Sequence, residues 1–232
     1  MPGAFEYTVW LLCTLLEAGV LVCSLARHSF RRYFTLNLYM GASFAISIGR
    51  YAILSRHGLG SNEYVYFYYY SDAVLTICLY FALMGLYSIV FEDLGAAWQV
   101  RLGSMVLLAG TALFSYGVVH QSETRMLTRY VVEMSQNLYF VGLVLTYLLW
   151  GAVLKMRESR ARVIQFVLSL GVYFSLYAAN YALHNLYSNL RFVWIYLPPI
   201  TSTLLPIAWA YAFLRFTDDE RLAPSRLAVV PR

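Results

Sequence analysis

Arg50, Asp72, Glu133 and Asn180 are the residues of this chain best placed to do chemistry, because each falls inside an otherwise apolar run. Ionisable groups at membrane depth are costly and by default mark a functional site. At 1.5 Å per residue from the nearer end of its run, Arg50 lies about 6 Å deep, Glu133 and Asn180 about 9 Å and Asp72 about 12 Å. Four runs therefore carry polar groups to nearly one level. The helical period groups Ser43, Ser47, Arg50 and Leu54 on one face, and Tyr130, Glu133, Asn137 and Phe140 on another. Tyr173, Tyr177, Asn180 and His184 form a third stripe, and Tyr68 and Tyr69 lie one turn outward of Asp72. The chemistry expected is recognition: a guanidinium between carboxylates in an outward-facing, tyrosine-walled pocket. Its candidate ligand-binding residues are Arg50, Asp72, Glu133, Asn137, Asn180, Tyr69, Tyr177 and His184.

A second account of the same residues stays open. An unpaired arginine in lipid costs at least ~2.5 kcal/mol, so a pair between Arg50 and Asp72 or Glu133 is explained by helix packing alone. The run Tyr64, Tyr66, Tyr68, Tyr69, Tyr70 also suits the aromatic belt at a membrane boundary. Glu17 stands apart, about 18 Å along its run, and reads as a neutral carboxyl bonded to a neighbouring helix. His57, His120 and His184 fall near the outer face without HExxH or HxxxH spacing, so neither a metal nor another cofactor is expected. No nucleophile or metal pairs with a base at workable spacing, and a non-enzymatic role follows. Cys13, Cys23 and Cys78 lie within apolar runs and read as small packing residues rather than a disulfide framework.

The elements that must position these residues are seven apolar runs: Phe5–Ala26, Phe34–Leu54, Tyr64–Phe91, Leu102–Val119, Leu127–Leu154, Val163–Leu186 and Phe192–Phe216. About 20 apolar helical residues cross a hydrocarbon core roughly 30 Å thick. Charged residues are 12% of the chain, against roughly 25% in soluble domains, which leaves no room for a water-soluble domain. The expected fold is all-α: a seven-transmembrane-helix bundle over residues 1–216 and a short tail over 217–232. No cation precedes the first run and no cleavage site follows it, so that helix is expected to act as its own insertion signal. Most of the 17 Lys and Arg fall on one side, including Arg27, Arg31, Arg32, Lys155, Arg160, Arg162 and Arg215. By the positive-inside rule the N-terminus is outside and the C-terminus cytoplasmic. The net charge of +5 is spread over these loops and suits anionic lipid; nucleic acid is not an expected partner.

An internal repeat is visible at an offset of 130 residues. Arg27, Ser29 and Arg32 match Arg157, Ser159 and Arg162, and Leu38, Gly41, Phe44, Tyr51 and Ala52 match Leu168, Gly171, Phe174, Tyr181 and Ala182. It suits a parallel 3+1+3 duplication, as in some transporters. Gly41, Ala45 and Gly49 form a small-residue ridge that would let helices approach closely. Pro198, Pro199 and Pro206 predict a kinked or broken last helix.

Lys155, the single lysine, lies outside the last run, which excludes a retinal Schiff base; a last helix without histidine argues against ceramidase-like hydrolases. The Tyr66 to Tyr70 entry, Asp72 after it and Glu133 early in the fifth run resemble uncharacterised bacterial seven-helix membrane proteins. The chain is also similar to stand-alone seven-helix sensor regions of bacterial signalling proteins. The resemblance implies a sensor-like or accessory role in a bacterial cytoplasmic membrane, with a small molecule or lipid bound at the Arg50 level. A membrane or cytoplasmic protein partner would receive the signal. A small-solute transporter and a structural subunit of a larger complex are the alternatives.

Overall fold

A computed structural model describes residues 4–58, 60–92, 97–119, 126–155, 160–186 and 191–217. Among them are seven helices: α1 (Ala4–Ala26), α2 (Phe34–His57), α3 (Asn62–Val90), α4 (Ala97–Val119), α5 (Met126–Lys155), α6 (Ala161–Leu186) and α7 (Arg191–Arg215). Each sits on one of the seven apolar runs. Beyond Thr217 the expected tail lies outside the described residues, as do Arg157, Ser159 and His120.

Five helices, α1, α3, α4, α5 and α6, are long and apolar enough to cross a membrane. α2 is of similar length but carries Asn37, Ser43, Ser47 and Arg50, and these polar residues have a use inside the bundle. α7 runs unbroken through Pro198, Pro199 and Pro206 rather than splitting there. The Thr201 hydroxyl donates to the Leu197 carbonyl at 2.9 Å and that of Thr203 to the Ile200 carbonyl at 2.8 Å.

Six helices pack in the cyclic order α1, α2, α3, α5, α6, α7, with α7 returning to α1, while α4 lies outside against α5 and α3. The tight α2–α3 connection turns at Gly58, whose φ of 78° suits glycine. Ser61 then caps α3, its hydroxyl accepting from the Tyr64 amide at 3.1 Å.

Cations that the sequence assigned to orientation also tie helices at one end of the bundle. Arg162, 2% exposed, donates to the Ser29 hydroxyl at 2.8 Å and to the Phe216 carbonyl, with its guanidinium 5.6 Å from the Phe213 ring centroid. Arg27 donates to the Leu214 carbonyl at 2.9 Å, and Arg160 to the Ile89 carbonyl at 3.0 Å. Carbonyls at helix C-termini lack intrahelical donors and attract positive charge. Directly above lies an aromatic plug: Phe166 packs edge-on against Tyr33 at 5.0 Å and Trp209 at 6.0 Å, and tilted against Phe213 at 5.1 Å. The Trp209 indole N–H donates to Ser169 at 3.0 Å, so the plug leaves no orphaned indole.

Of the small-residue ridge, Gly49 packs on Phe67, but Gly41 faces open space and Ala45 is exposed. The tighter approaches lie elsewhere. A Cβ on Gly142 would stand 2.4 Å from the ring of Phe174, which is itself buried. Gly142→Ala is expected to cost about 1–3 kcal/mol by overpacking α5 against α6. Gly110→Ala on α4, where a Cβ meets nothing, should be neutral or stabilising by up to ~1 kcal/mol. Thermal melts of both purified variants check the contrast.

Candidate functional site

The half of the bundle opposite the arginine clamp holds a cavity of about 470 Å³, lined by residues of α1, α2, α3, α5, α6 and α7. Arg50 is fixed there by α3. Its Nε donates to Ser71 Oγ at 2.9 Å, its Nη2 donates to the Tyr68 carbonyl at 3.2 Å, and its guanidinium lies 4.3 Å from the Tyr68 ring centroid. Asp72 Oδ1 is 4.0 Å from Nη2, with the two side chains 31% and 21% exposed. Ion pairing at that length and exposure is weak; the shorter hydrogen bonds orient the guanidinium.

A second carboxylate enters the cavity from α1 rather than α5. Glu17, 5% exposed, accepts from the Ser43 hydroxyl at 2.5 Å and, more loosely, from that of Ser47 at 3.5 Å. Depth along its own helix set Glu17 apart from Arg50. The two share a cavity because Ser43 and Ser47 continue the Arg50 face of α2 one and two turns inward, where α1 packs. That shared face was the available signal.

Five of the sequence-chosen residues line the cavity together: Arg50, Tyr69, Asp72, Tyr177 and Asn180. Glu133 and Asn137 do not. Asn137 Nδ2 donates to Ser115 Oγ of α4 at 3.0 Å, and Tyr130 meets Tyr116 of α4 edge-on at 6.4 Å. The polar stripe of α5 therefore serves its contact with the peripheral α4, while Val131, Val132, Ser135 and Tyr139 face the cavity. The side chain of His184 lies outside the described residues.

The second half of the bundle supplies an aromatic wall. Tyr139 stacks on Tyr177 at 4.9 Å, and Tyr173 lies 4.6 Å from Tyr177, centroid to centroid. Two polar atoms in the wall, Ser135 Oγ and Asn180 Oδ1, are buried without a hydrogen-bond partner among the described residues. Buried polar atoms are nearly always partnered, so both keep unused hydrogen-bonding capacity at the cavity wall. Among the described residues no three His, Cys, Asp or Glu side chains gather as a metal would require.

Ser43, Ser47 and Arg50 of α2 correspond to Tyr173, Tyr177 and Asn180 of α6 at the 130-residue offset. Val9, Trp10, Cys13 and Glu17 of α1 have the same spacing as Val131, Val132, Ser135 and Tyr139 of α5, but at an offset of 122 residues rather than 130. Comparisons with protein-family models, curated proteins and solved structures gave no match. The class that the geometry defines is an all-helical bundle, with helices apolar enough to span a membrane, around a polar and aromatic cavity.

Proposed function

We propose that the chain is an integral membrane protein of a bacterial cytoplasmic membrane that binds a small molecule in this cavity, in a non-enzymatic sensor-like or accessory role. All seven helices cross the bilayer in this reading. α2 and α7 are comparable in length to the five apolar helices and pack between them, which hides their polar residues from lipid. The amino end faces outward, placing the arginine clamp on the cytoplasmic side. The observation that carries the reading is the cavity itself, with few convergent polar groups among aromatic walls, as ligand sites between helices have. The plug of Tyr33, Phe166, Trp209 and Phe213 between cavity and clamp favours binding over free passage.

Cys13 makes the reading testable, since it lines the cavity while Cys23 and Cys78 do not. In a Cys23→Ala, Cys78→Ala variant, a small water-soluble methanethiosulfonate should modify Cys13, and Ser135→Trp should slow that reaction about tenfold or more by filling the cavity. A Cys13 that reacts only after unfolding, and whose modification in the folded protein does not rise as pH increases and frees thiolate, would show a sealed polar layer and end the ligand reading.

Transport is a second reading, favoured by the cavity positions that α2 and α6 share at the 130-residue offset, as a parallel 3+1+3 duplication would give. Uptake of a bound solute into proteoliposomes would establish it, and would require the aromatic plug to part.

A further inference from the structure

We propose that the cavity takes a small organic cation, an ammonium group seated at Glu17 with its apolar body against the tyrosines of α5 and α6. The proposal rests on the cavity being a ligand site and adds the class of ligand. Its starting point is an asymmetry between the two sides of the cavity. The charged side chains Glu17, Arg50 and Asp72 come from α1, α2 and α3, whereas the lining residues of α5, α6 and α7 include none of Asp, Glu, Lys or Arg. One side of the cavity is charged and the other is neutral, aromatic and hydrogen-bonding.

On the charged side the balance is uneven. The Arg50 guanidinium is engaged by a hydroxyl, a backbone carbonyl, an aromatic face and Asp72, all from α3. A ligand anion would have to compete with Asp72 for that guanidinium. Glu17 has hydroxyl partners alone and no cation within ion-pair distance among the described residues, yet it is 5% exposed. With Glu17 ionised, in place of the neutral carboxyl expected from its depth alone, two carboxylates face one guanidinium, and Glu17 has no ion-pair partner among the described residues. A buried carboxylate of that kind is costly until a positive charge joins it.

The opposite wall points the same way. Ser135 is 3% exposed, and its Oγ and the Asn180 Oδ1 lack partners among the described residues; both are acceptors, so this wall offers a ligand anion little. Tyrosine rings favour cations over anions, because the ring face carries negative charge. Carboxylate, acceptors and rings thus select one sign of charge, and the 470 Å³ volume admits a ring-sized organic body.

Three compounds with one ring and different heads test this directly: phenethylamine, 2-phenylethanol and phenylacetate, titrated into the purified full chain in lipid nanodiscs at neutral pH. Phenethylamine is expected to bind about tenfold or more tightly than either other compound. In Glu17→Gln that preference should fall to within about threefold, because the neutral amide keeps the shape and loses the charge. The wild-type series needs no variant to fold. Equal or tighter binding of the alcohol or the acid overturns the cation assignment and leaves the ligand cavity standing. If none of the three binds, a wider solute screen decides: a cationic ligand sustains the proposal, and an anionic or neutral one ends it. Silence across that screen, with Cys13 unmodified, removes the cavity reading as well.

Discussion

Arg162→Ala is expected to destabilise the bundle by about 3–5 kcal/mol, the largest single effect among the described cations. The side chain is 2% exposed, and its guanidinium joins the turn after α1 at Ser29 to the end of α7 at Phe216. Alanine leaves those acceptors without a charged donor, at roughly 1–3 kcal/mol each, and exposes the face of Phe213 that the guanidinium covered. Nothing nearby replaces it at once, since Arg27 and Arg160 are already bonded to Leu214 and Ile89. Arg31 lies in the same turn but is exposed, so Arg31→Ala should stay within about 0.5 kcal/mol of the parent. Thermal melts of the two variants in one detergent give the comparison. Equal midpoints would remove the clamp from the account of stability.

The second large effect is expected at Arg50. Arg50→Ala removes two side-chain donors and the positive charge from a cavity that also holds Asp72 and Glu17. Hydrogen bonds from charged groups contribute roughly 1.5–3 kcal/mol. The 4.0 Å pair adds little by comparison at its partial exposure. The expected loss is about 2–3 kcal/mol on these grounds. Arg56→Ala, at an exposed position near the end of α2, should change the midpoint by less than about 0.5 kcal/mol. Arg50→Lys separates charge from geometry: it keeps the cation but lacks the fork that reaches Ser71 and Tyr68 together. Lysine should therefore recover part of the stability. Melts in which Arg50→Ala and Arg56→Ala coincide with the parent would show that the α2–α3 polar contacts contribute nothing to the fold.

The sequence by itself determined where helices form, because each needs about 20 apolar residues and that requirement is local. It also placed Arg50, Asp72, Tyr177 and Asn180 together, since depth follows from the rise per residue and the α2 face from a period that Ser43 and Ser47 share with Arg50. Which carboxylate joins Arg50 was decided by the tertiary structure. In a soluble helix the apolar stripe reveals the inward face; in lipid both the outside and the packed interior are apolar, so periodicity does not fix rotation about the axis. Glu133 and Asn137 accordingly share a stripe that Asn137 and Tyr130 turn toward α4, while Glu17, two turns deeper than the predicted level, is brought in by α1 packing on Ser43 and Ser47. The position of α4 outside the six-helix ring is the reason. Neighbour order around a bundle depends on how whole helices fit together, which no single run of residues encodes.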